Sequence, residues 1–322
     1  MEGLVAENRK NIQDPELRAV YAEFLEKMFR KDSRVLGLDA DLMRAIGCYD
    51  LWKKYPDRMI ECGIAEGNMV CTAAGLSAEG FVPFVHSFGT FTDRRAFDQI
   101  VMSCAYAKLN VKIIGSDPGA IAALNGGTHT PLEDIASMRS VAGVKVVDIA
   151  DAVMAENLLP KIADDYGTYY VRYPRCQVKR VYRDGSRFEI GKANVLRDGR
   201  DLTIIACGIE VSEALDAADQ LASEGIQARV IDMFTIKPLD EKAVAKAAKE
   251  TGAIVTAENA NINGGLFDAV AGCAAKTYPC PMEGVGYLER FGDVGSVAYL
   301  MKEYGLTAET IVERAKKVFA RK

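Results

Sequence analysis

The chain has 322 residues, of which 49% are hydrophobic and 26% charged, a composition typical of globular proteins with two ordinary domains. Its 40 basic and 45 acidic side chains give a formal charge of −5 without a basic cluster, which argues against nucleic acid as a partner. No apolar run is long enough to span a bilayer, and the polar N-terminus is not typical of a signal or transit peptide. We therefore expect a cytoplasmic protein without a membrane partner.

The first predicted element is an amphipathic helix over residues 15–30, because its apolar side chains recur with helical spacing. Asp14 is predicted to cap this helix and Pro15 to occupy its first turn. Short apolar strands and helices then alternate. The strands are predicted in RVLGL, RMIECG, FVPFVHSF, VKIIGS, VKVVDI and TYYVRY, and the helices begin near Glu66 and span about 91–107, 132–139 and 151–165. This alternation is typical of a parallel sheet covered by helices on both faces.

Residues 174–190 interrupt this alternation with Pro, Gly and basic side chains, which indicates a domain boundary. Strands in DLTIIACG, IQARVIDMF and AIVTAE then alternate with helices at 210–224, 239–251, 264–277 and from about 307. We predict an α/β fold of two parallel-sheet domains, residues 1–176 and 191–322, joined by a linker over residues 177–190.

The eight cysteines lie mostly in apolar segments and include no C-x-x-C pair, and the chain has only two histidines. Such cysteines are typical of reduced core thiols. We expect no disulfide and no metal site in this chain.

Glu66 is an isolated carboxylate among small and apolar residues in IECGIAEGNMVCTAAGLSAEG. Ionising a carboxyl group in such surroundings is unfavourable, so the position needs an explanation. Two interpretations are open. Glu66 either begins a helix, whose N-terminus favours negative charge, or its surroundings let it hold and pass a proton.

Motifs for nucleophilic catalysis and for nucleoside triphosphate binding are missing, since the sequence has neither G-x-S-x-G nor G-x-x-x-x-G-K-[ST]. The remaining candidates are the aromatic pair Phe88 and Phe91 and a histidine, His129, in the Gly-rich loop GGTH. Open parallel sheets bind ligands at the carboxyl ends of their strands, where these residues are expected. Ordinary core packing for the phenylalanines and a solvated loop for the histidine stay open as alternatives.

The order of these segments resembles the transketolase family of thiamine diphosphate enzymes. The resemblance is carried by IECGIAEG, FGTFTDRRAFDQI, GGTHTPLEDIASMR, YYVRYPR, VIDMFTIKPLD, ERFGDVGS and YGLTAETIVERAKKV, which cover nearly the whole chain in the family's order. The chain resembles only the C-terminal part of a transketolase, namely the pyrimidine-binding domain and the C-terminal domain. The Gly-Asp-Gly motif with which the family binds diphosphate and metal is missing.

The resemblance therefore implies a split transketolase of which this chain is the C-terminal subunit. Thiamine diphosphate would lie between this chain and an N-terminal subunit that holds the diphosphate with Mg²⁺ or Ca²⁺, and an α2β2 assembly is expected. The implied reaction transfers a two-carbon ketol unit from a ketose to an aldose acceptor, the sugars carrying phosphate or another modification.

The resemblance assigns four residues to the cofactor. Glu66 would hydrogen-bond N1′ of the aminopyrimidine and favour its imino tautomer, whose 4′-imine removes the C2 proton of the thiazolium. The aminopyrimidine ring would pack against Phe88 and Phe91. Asp41 in LDADL would line the cofactor pocket, with a turn or cap role as its alternative.

Three further residues are implied to contact the substrate. His129 would act as a catalytic donor to the oxyanion that develops at the reacting carbonyl. Arg18 in PELR and Arg175 in RYPR match arginines that hold the acceptor's phosphate, a task suited to the guanidinium fork. An exposed surface position is the alternative for both arginines.

Three positions depart from the pattern of sugar-phosphate transketolases. Asp117 replaces a histidine, Asn125 replaces an aspartate that reads a substrate hydroxyl, and Ala45 replaces a phosphate-binding serine. Because the carboxylate of Asp117 would repel a phosphate, we expect an altered substrate pocket in which Asp117 and Asn125 take part. The donor is then an unusual ketose that is branched, sulfonated or otherwise modified.

Three other functions stay open. The strings ECGIAE and RYPR also suit a 1-deoxyxylulose-5-phosphate synthase, which would release CO₂ from pyruvate. The β chain of a 2-oxoacid dehydrogenase has the same two domains, although DRRAFDQI and ERFGDVGS fit transketolase better. The third is a non-catalytic scaffold that keeps only the fold, against which the retention of Glu66, Phe91 and His129 argues.

Overall fold

The computed structural model describes residues 4–322, so the first three residues of the predicted first domain lie outside the described residues. The strands are β1 (Val35–Asp39), β2 (Met59–Glu61), β3 (Val82–Phe88), β4 (Lys112–Ser116), β5 (Lys145–Asp148), β6 (Tyr169–Tyr173), β7 (Asn194–Arg197), β8 (Leu202–Ala206), β9 (Ala228–Asp232), β10 (Thr235–Lys237), β11 (Ile254–Asn261) and β12 (Met282–Tyr287). They form a seven-stranded sheet of order β10-β5-β6-β4-β3-β1-β2 and a five-stranded sheet of order β12-β11-β8-β9-β7.

Helices connect the strands and pack against the sheets. They are α1 (Leu17–Lys31), α2 (Tyr49–Lys54), α3 (Glu66–Ala78), α4 (Gly89–Arg94), α5 (Phe97–Gln99), α6 (Asp134–Ser140), α7 (Ala152–Asp164), α8 (Glu210–Ser223), α9 (Glu241–Thr251), α10 (Leu266–Lys276), α11 (Val297–Glu303) and α12 (Ala308–Phe319). A π-helix (Ile100–Tyr106) follows α5, and 3₁₀ turns occur at Arg9–Asn11, Gly119–Asn125 and Gly127–His129. Across the described residues no helix is long and apolar enough to cross a membrane.

The prediction of two α/β domains built on parallel sheets is confirmed. Strands β1 to β6 pair in parallel, and β1, β3, β4 and β6 are buried along their whole length. Near-continuous apolar strands are typical of sheets covered on both faces. Each sheet also carries one antiparallel edge strand that the sequence did not predict, β10 beside β5 and β7 beside β9.

Two local predictions are wrong. The first helix begins at Leu17 rather than at residue 15, and the carboxylate of Asp14 accepts a hydrogen bond from Arg180 Nε at 3.1 Å instead of capping the helix. The predicted helix over 91–107 is broken into α4, α5 and the π-helix, in which the wider turn shifts the register of the side chains.

A buried arginine joins the two sheets. Arg172 on β6 has no exposed surface, and its guanidinium donates to Asp134 at 2.8 Å and to Asp148 at 2.6 Å. It also donates to the backbone carbonyl of Asn259 on β11 at 2.9 Å. A buried charge of this kind is tolerated only when it is paired and hydrogen-bonded, so this cluster fixes how the halves meet.

Candidate active site

The predicted site residues follow neighbouring strands of the seven-stranded sheet. Asp41 comes two residues after β1, Phe91 follows β3, Asp117 directly follows β4, and Arg175 comes two residues after β6. Because these strands are parallel, their carboxyl ends meet at one edge of the sheet, where ligands of such folds bind.

Glu66 is the first residue of α3 and is only 1% exposed. Its two carboxylate oxygens accept hydrogen bonds from Nη1 of Arg95, at 2.9 and 3.1 Å. The carboxylate is therefore paired with a cation and does not stand alone in apolar surroundings. Arg95, which the sequence analysis did not single out, also lies over the ring of Phe91, 4.3 Å from its centroid, and its side chain is 51% exposed.

Three predicted aromatic residues form one cluster. The ring centroids of Phe88 and Phe91 are 6.0 Å apart, and the imidazole of His129 lies edge-on to both, at 5.8 and 5.2 Å. Nδ1 of His129 is hydrogen-bonded to the hydroxyl of Thr128 at 2.8 Å, which leaves Nε2 available to a ligand. The structure thus brings together the two phenylalanines, the histidine and, through Arg95, Glu66.

An open cleft lies over this cluster, and we call it the aromatic cleft. It has a volume of about 440 Å³ and is lined by Thr90, Phe91, Arg94, Arg95, Thr128 and His129. The hydroxyl of Thr90 is buried in this wall and has no hydrogen-bond partner among the described residues. A buried polar atom without a partner beside a cleft is suited to bind a ligand.

A second cleft of about 260 Å³ adjoins the site, and we call it the polar cleft. Its wall includes Glu16, Arg18, Asp117, Asn125 and Arg175. Arg175 donates from Nε to Asp117 at 2.9 Å and lies over the ring of Phe88, 4.7 Å from its centroid. Phe88 therefore connects the two clefts.

Each arginine of the polar cleft already has a carboxylate partner. Arg18 donates from Nε to Glu16 at 2.6 Å, and Arg175 makes a second hydrogen bond to Asp117. The Asn125 amide lies 3.5 Å from Asp117. The two positive and two negative side chains neutralise each other, which is not the charge of a dianion site.

Asp41 stands apart from the other predicted site residues. It is exposed, has a φ of 61°, and uses its backbone N–H to donate to Glu61 Oε1 at 2.8 Å. Neither the aromatic cleft nor the polar cleft includes it in its wall. Its predicted role in cofactor binding remains a prediction.

The C-terminal half supports the loop that carries Asn125 and His129. The side-chain oxygen of Asn259 accepts from the N–H of Ala120 at 2.9 Å, and its amide donates to the carbonyl of Pro118 at 2.8 Å. Gly127 lies so close to Gly292 that a Cβ at Gly127 would overlap the Gly292 carbonyl. Sequence reasoning missed Asn259 and Gly292 because they are distant in the chain from the other site residues.

The eight cysteines are free thiols, of which Cys48, Cys104, Cys207 and Cys273 are buried, whereas Cys71 is exposed. Within residues 4–322 no group of three or more His, Cys, Asp or Glu side chains is arranged to hold a metal ion.

Comparison with known proteins identifies the family. The model of the transketolase pyrimidine-binding domain matches residues 13–180, and that of the transketolase C-terminal domain matches residues 191–311. The chain belongs to the transketolase family.

Its relatives include transketolase subunits that are named for particular sugars. It is 46% identical over 306 residues to the 6-deoxy-6-sulfo-D-fructose transketolase subunit of Clostridium sp. (strain MSTE9), covering 95% of both chains. It is 36% identical over 299 residues to one of the subunits of the apulose-4-phosphate transketolase of Phocaeicola vulgatus, covering 92% of this chain and 96% of the relative.

A solved structure agrees with this assignment. A split-gene transketolase, solved as an inactive β4 tetramer, superimposes with a TM-score of 0.89 at 38% identity, covering 96% of this chain and all of that one. The predictions of a transketolase and of the C-terminal subunit of a split enzyme are confirmed, and neither the synthase nor the dehydrogenase alternative is favoured.

Transketolases use thiamine diphosphate, and the residues in and beside the aromatic cleft fit the pyrimidine half of this cofactor. A buried carboxylate, Glu66, suits a ring nitrogen, and the faces of Phe88 and Phe91 suit an aromatic ring. The unpartnered hydroxyl of Thr90 offers a further polar contact.

Proposed function

We propose that this transketolase subunit transfers a two-carbon ketol unit from a ketose with a modified far end to an aldose acceptor. It would do so together with an N-terminal subunit that binds the diphosphate and its Mg²⁺ or Ca²⁺. The observation that carries the proposal is the pairing of Arg175 with Asp117 beside the aromatic cleft, because it joins the cofactor residues to a pocket of altered charge.

Bound thiamine diphosphate would supply a nucleophilic carbon and stabilise the carbanion of the ketol unit. Glu66 would hold the proton at the ring nitrogen of the pyrimidine from its buried position behind Arg95. For that contact Arg95 has to share the carboxylate or turn away, and its exposed side chain leaves room for the turn. His129 would donate to the carbonyl oxygen of the substrate.

The polar cleft would receive the far end of the sugar. At neutral pH a phosphate monoester carries a charge of about −1.5 to −2, whereas a sulfonate carries one negative charge and a hydroxyl none. With both arginines neutralised by Glu16 and Asp117, the cleft suits a group with less negative charge than a phosphate dianion. The relationship to a 6-deoxy-6-sulfo-D-fructose transketolase subunit makes a sulfonated ketose our leading candidate donor.

We further propose an α2β2 complex in the cytoplasm, in which the cofactor lies between the subunits. The related chain solved as an inactive β4 tetramer supports the requirement for a second subunit. Residues 1–176 and 191–322 are proposed as the domains and residues 177–190 as the linker between them.

The test is to purify this chain from its own source, identify the co-purifying subunit, and quantify thiamine diphosphate released by heat. The complex is then assayed with 6-deoxy-6-sulfofructose, fructose 6-phosphate and xylulose 5-phosphate as donors. We expect a stoichiometric partner, bound cofactor, and a higher kcat/KM for the sulfonated donor. Equal activity on the phosphorylated donors would refute the substrate assignment, and cofactor bound by this chain alone would refute the shared site.

The scaffold alternative is tested in the same assay. A complex containing Glu66→Ala would keep its activity if the subunit had only a structural role. Loss of turnover with an intact complex would exclude that alternative.

A further inference from the structure

A buried histidine links three neighbouring strands directly beneath the site. His86 on β3 is 2% exposed, its Nδ1 lies 2.6 Å from Asp39 Oδ2 at the end of β1, and its Nε2 lies 2.9 Å from Ser116 Oγ at the end of β4. Asp39 is 1% exposed and Ser116 is fully buried. We call this hydrogen-bonded row the strand tie.

The strand tie contains an aspartate, a histidine and a serine, the residue types of a hydrolase triad, but its serine is not accessible to a substrate. In such triads the serine hydroxyl must reach a substrate carbonyl. Ser116 has no exposed surface, and its hydroxyl contacts only His86 and, at 3.5 Å, the carbonyl of Ser87 among the described residues. The tie therefore has a positioning role and not a nucleophilic one.

The location of the strand tie indicates which residues it holds in place. His86 and Phe88 are two residues apart on β3 and so point to the same face of the sheet, which places the imidazole one layer below the ring that contacts Arg175. Ser116 directly precedes Asp117, and the second oxygen of Asp39 accepts the N–H of Leu42. The tie thus anchors the starting points of two loops at the site.

Both loops begin with strained backbone. Asp41 has a φ of 61° and Asp117 a φ of 58°, a left-handed conformation that is uncommon for residues other than glycine. Such conformations cost about 1–3 kcal/mol each and persist only where the surroundings hold them. Asp117 is 3% exposed and carries the ion pair with Arg175, so its carboxylate position depends on this conformation.

We infer that His86 is a positioning residue that fixes Asp117, and through Asp117 the selectivity of the polar cleft for the far end of the sugar. This inference rests on the proposed function for its effect on the substrate. Its effect on Asp117 can be measured without any substrate.

Two variants of His86 test separately its hydrogen bond to Asp39 and its hydrogen bond to Ser116. In His86→Asn the shorter amide can replace Nδ1 and keep the bond to Asp39, whereas in His86→Gln the longer amide can replace Nε2 and keep the bond to Ser116. The matched control is Ser87→Ala, the next residue on β3, whose buried hydroxyl has no partner among the described residues. Thermal unfolding verifies that each variant is folded.

The substrate-free readout is hydrogen exchange at the amide of Asp117, which donates to the carbonyl of Tyr173 at 3.2 Å. We expect exchange in the peptide that contains Asp117 to be about tenfold faster in His86→Asn and near the wild-type rate in His86→Gln and Ser87→Ala. Unchanged exchange in His86→Asn would overturn the inference, whatever the enzyme's substrate proves to be. An equal acceleration in Ser87→Ala would do the same, because it would indicate general loosening of the strand.

The functional readout is a double-mutant cycle in the assembled enzyme. We expect His86→Asn to lower the KM for fructose 6-phosphate several-fold relative to the KM for 6-deoxy-6-sulfofructose, with kcat nearly unchanged, because a displaced Asp117 no longer neutralises Arg175. The substitution should add little in the Asp117→Asn background. Fully additive effects would overturn the positioning role. If no sugar is turned over but the exchange result holds, the proposed function fails while the role of His86 in fixing Asp117 stands.

Discussion

Glu66 and Arg95 form an ion pair beside the aromatic cleft, and the proposed chemistry of the site depends on the carboxylate of Glu66. Arg95 reaches Glu66 from the segment after α4 and at the same time covers Phe91. A ligand ring that packs on the face of Phe91 covered by Arg95 would displace this guanidinium and release the carboxylate. One arginine thus couples access to the ring face with access to Glu66.

We predict that Glu66→Gln lowers the kcat of the assembled enzyme by about 10²–10⁴, because the amide keeps a hydrogen bond but cannot hold and return a proton. The control is Glu79→Gln, at the exposed C-terminal end of the same helix. Steady-state kinetics of complexes with matched cofactor content measure the effect. A Glu66→Gln enzyme with wild-type kcat would remove Glu66 from the catalytic residues.

Asp117 sets the charge of the polar cleft, and its substitution tests the proposed donor. In Asp117→Asn the guanidinium of Arg175 loses its carboxylate partner and becomes available to a phosphate. We expect the KM for fructose 6-phosphate to fall by about tenfold, with a smaller change for 6-deoxy-6-sulfofructose. Asn125→Asp adds a negative charge to the same cleft and should act in the opposite direction. Equal changes for both sugars would contradict the charge argument.

Sequence motifs located the residues of the site but not all of their partners. Glu66, Phe88, Phe91 and His129 lie in strings short enough to recognise, and the structure joins them in one cluster. The ion pair of Glu66 with Arg95 crosses from α3 to the segment after α4, a contact that no local pattern encodes. The same holds for the pairing of Asp117 with Arg175, which the sequence presented only as a departure from the phosphate pattern.

At the scale of elements, the loop between β4 and α6 depends on the second domain for its shape. Gly127 packs against Gly292, and Asn259 holds the backbone on both sides of Gly119. A movement between the two domains would therefore displace this loop, and with it Asn125 and His129.

We predict that Gly127→Ala impairs the site although it removes no functional group, because the added methyl must push the loop away from the Gly292 carbonyl. The control is Gly75→Ala within α3, where a Cβ meets nothing within 4 Å and the change should stabilise the helix by about 0.5–1 kcal/mol. Kinetics and thermal unfolding of the two variants separate the effects. A Gly127→Ala enzyme with normal KM and kcat would contradict the close contact.

Helix α4 carries a titratable group whose charge affects stability. Asp93 is 2% exposed, and burial, together with the nearby charge of Asp134, raises the pKa of its carboxyl group to about 7. Because the folded chain binds this proton more tightly than the unfolded chain, the free energy of unfolding falls as the pH rises from about 4 to about 7.

Asp93→Asn removes this pH dependence, since the amide carries no charge at any pH and can still accept from Ser137. We expect the variant to gain stability over the wild type as pH rises, by at most about 4 kcal/mol once Asp93 is ionised. Thermal unfolding at pH 5 and pH 8 measures the difference, with the exposed Asp57→Asn as control. A constant difference at the two pH values would contradict the assignment.

Most elements could be predicted from the sequence because buried strands are continuous apolar runs and the helices are amphipathic. The short strands β7 and β10 carry no such pattern, since three or four residues are too few to show a period. The start of α1 was misplaced because Asp14, a residue type that favours helix caps, is used by Arg180 instead. In each case tertiary contacts, and not the local sequence, determine the structure.

For the whole molecule, the sequence pattern predicted two domains of alternating strands and helices, and the family resemblance identified them as a pyrimidine-binding and a C-terminal domain. The relative placement of the sheets rests on Arg172, Asp134, Asp148 and Asn259, four polar residues that are distant in sequence and fully or almost fully buried. A periodicity argument assigns such residues to the surface. The contact between the two sheets was therefore the part of the fold that could least be predicted from the sequence.

Strand β10 has a consequence for whether the two halves of this protein can be encoded by separate genes. It lies in the second half of the chain, yet it completes the sheet of the first half by pairing with Val146 and Val147 on β5. A gene broken within residues 177–190 would encode a first fragment whose sheet ends in an unpaired strand, a surface prone to association with other chains. Recombination that exchanged the second half would also have to supply a strand that fits this edge. We therefore expect the two halves to remain encoded together in one chain.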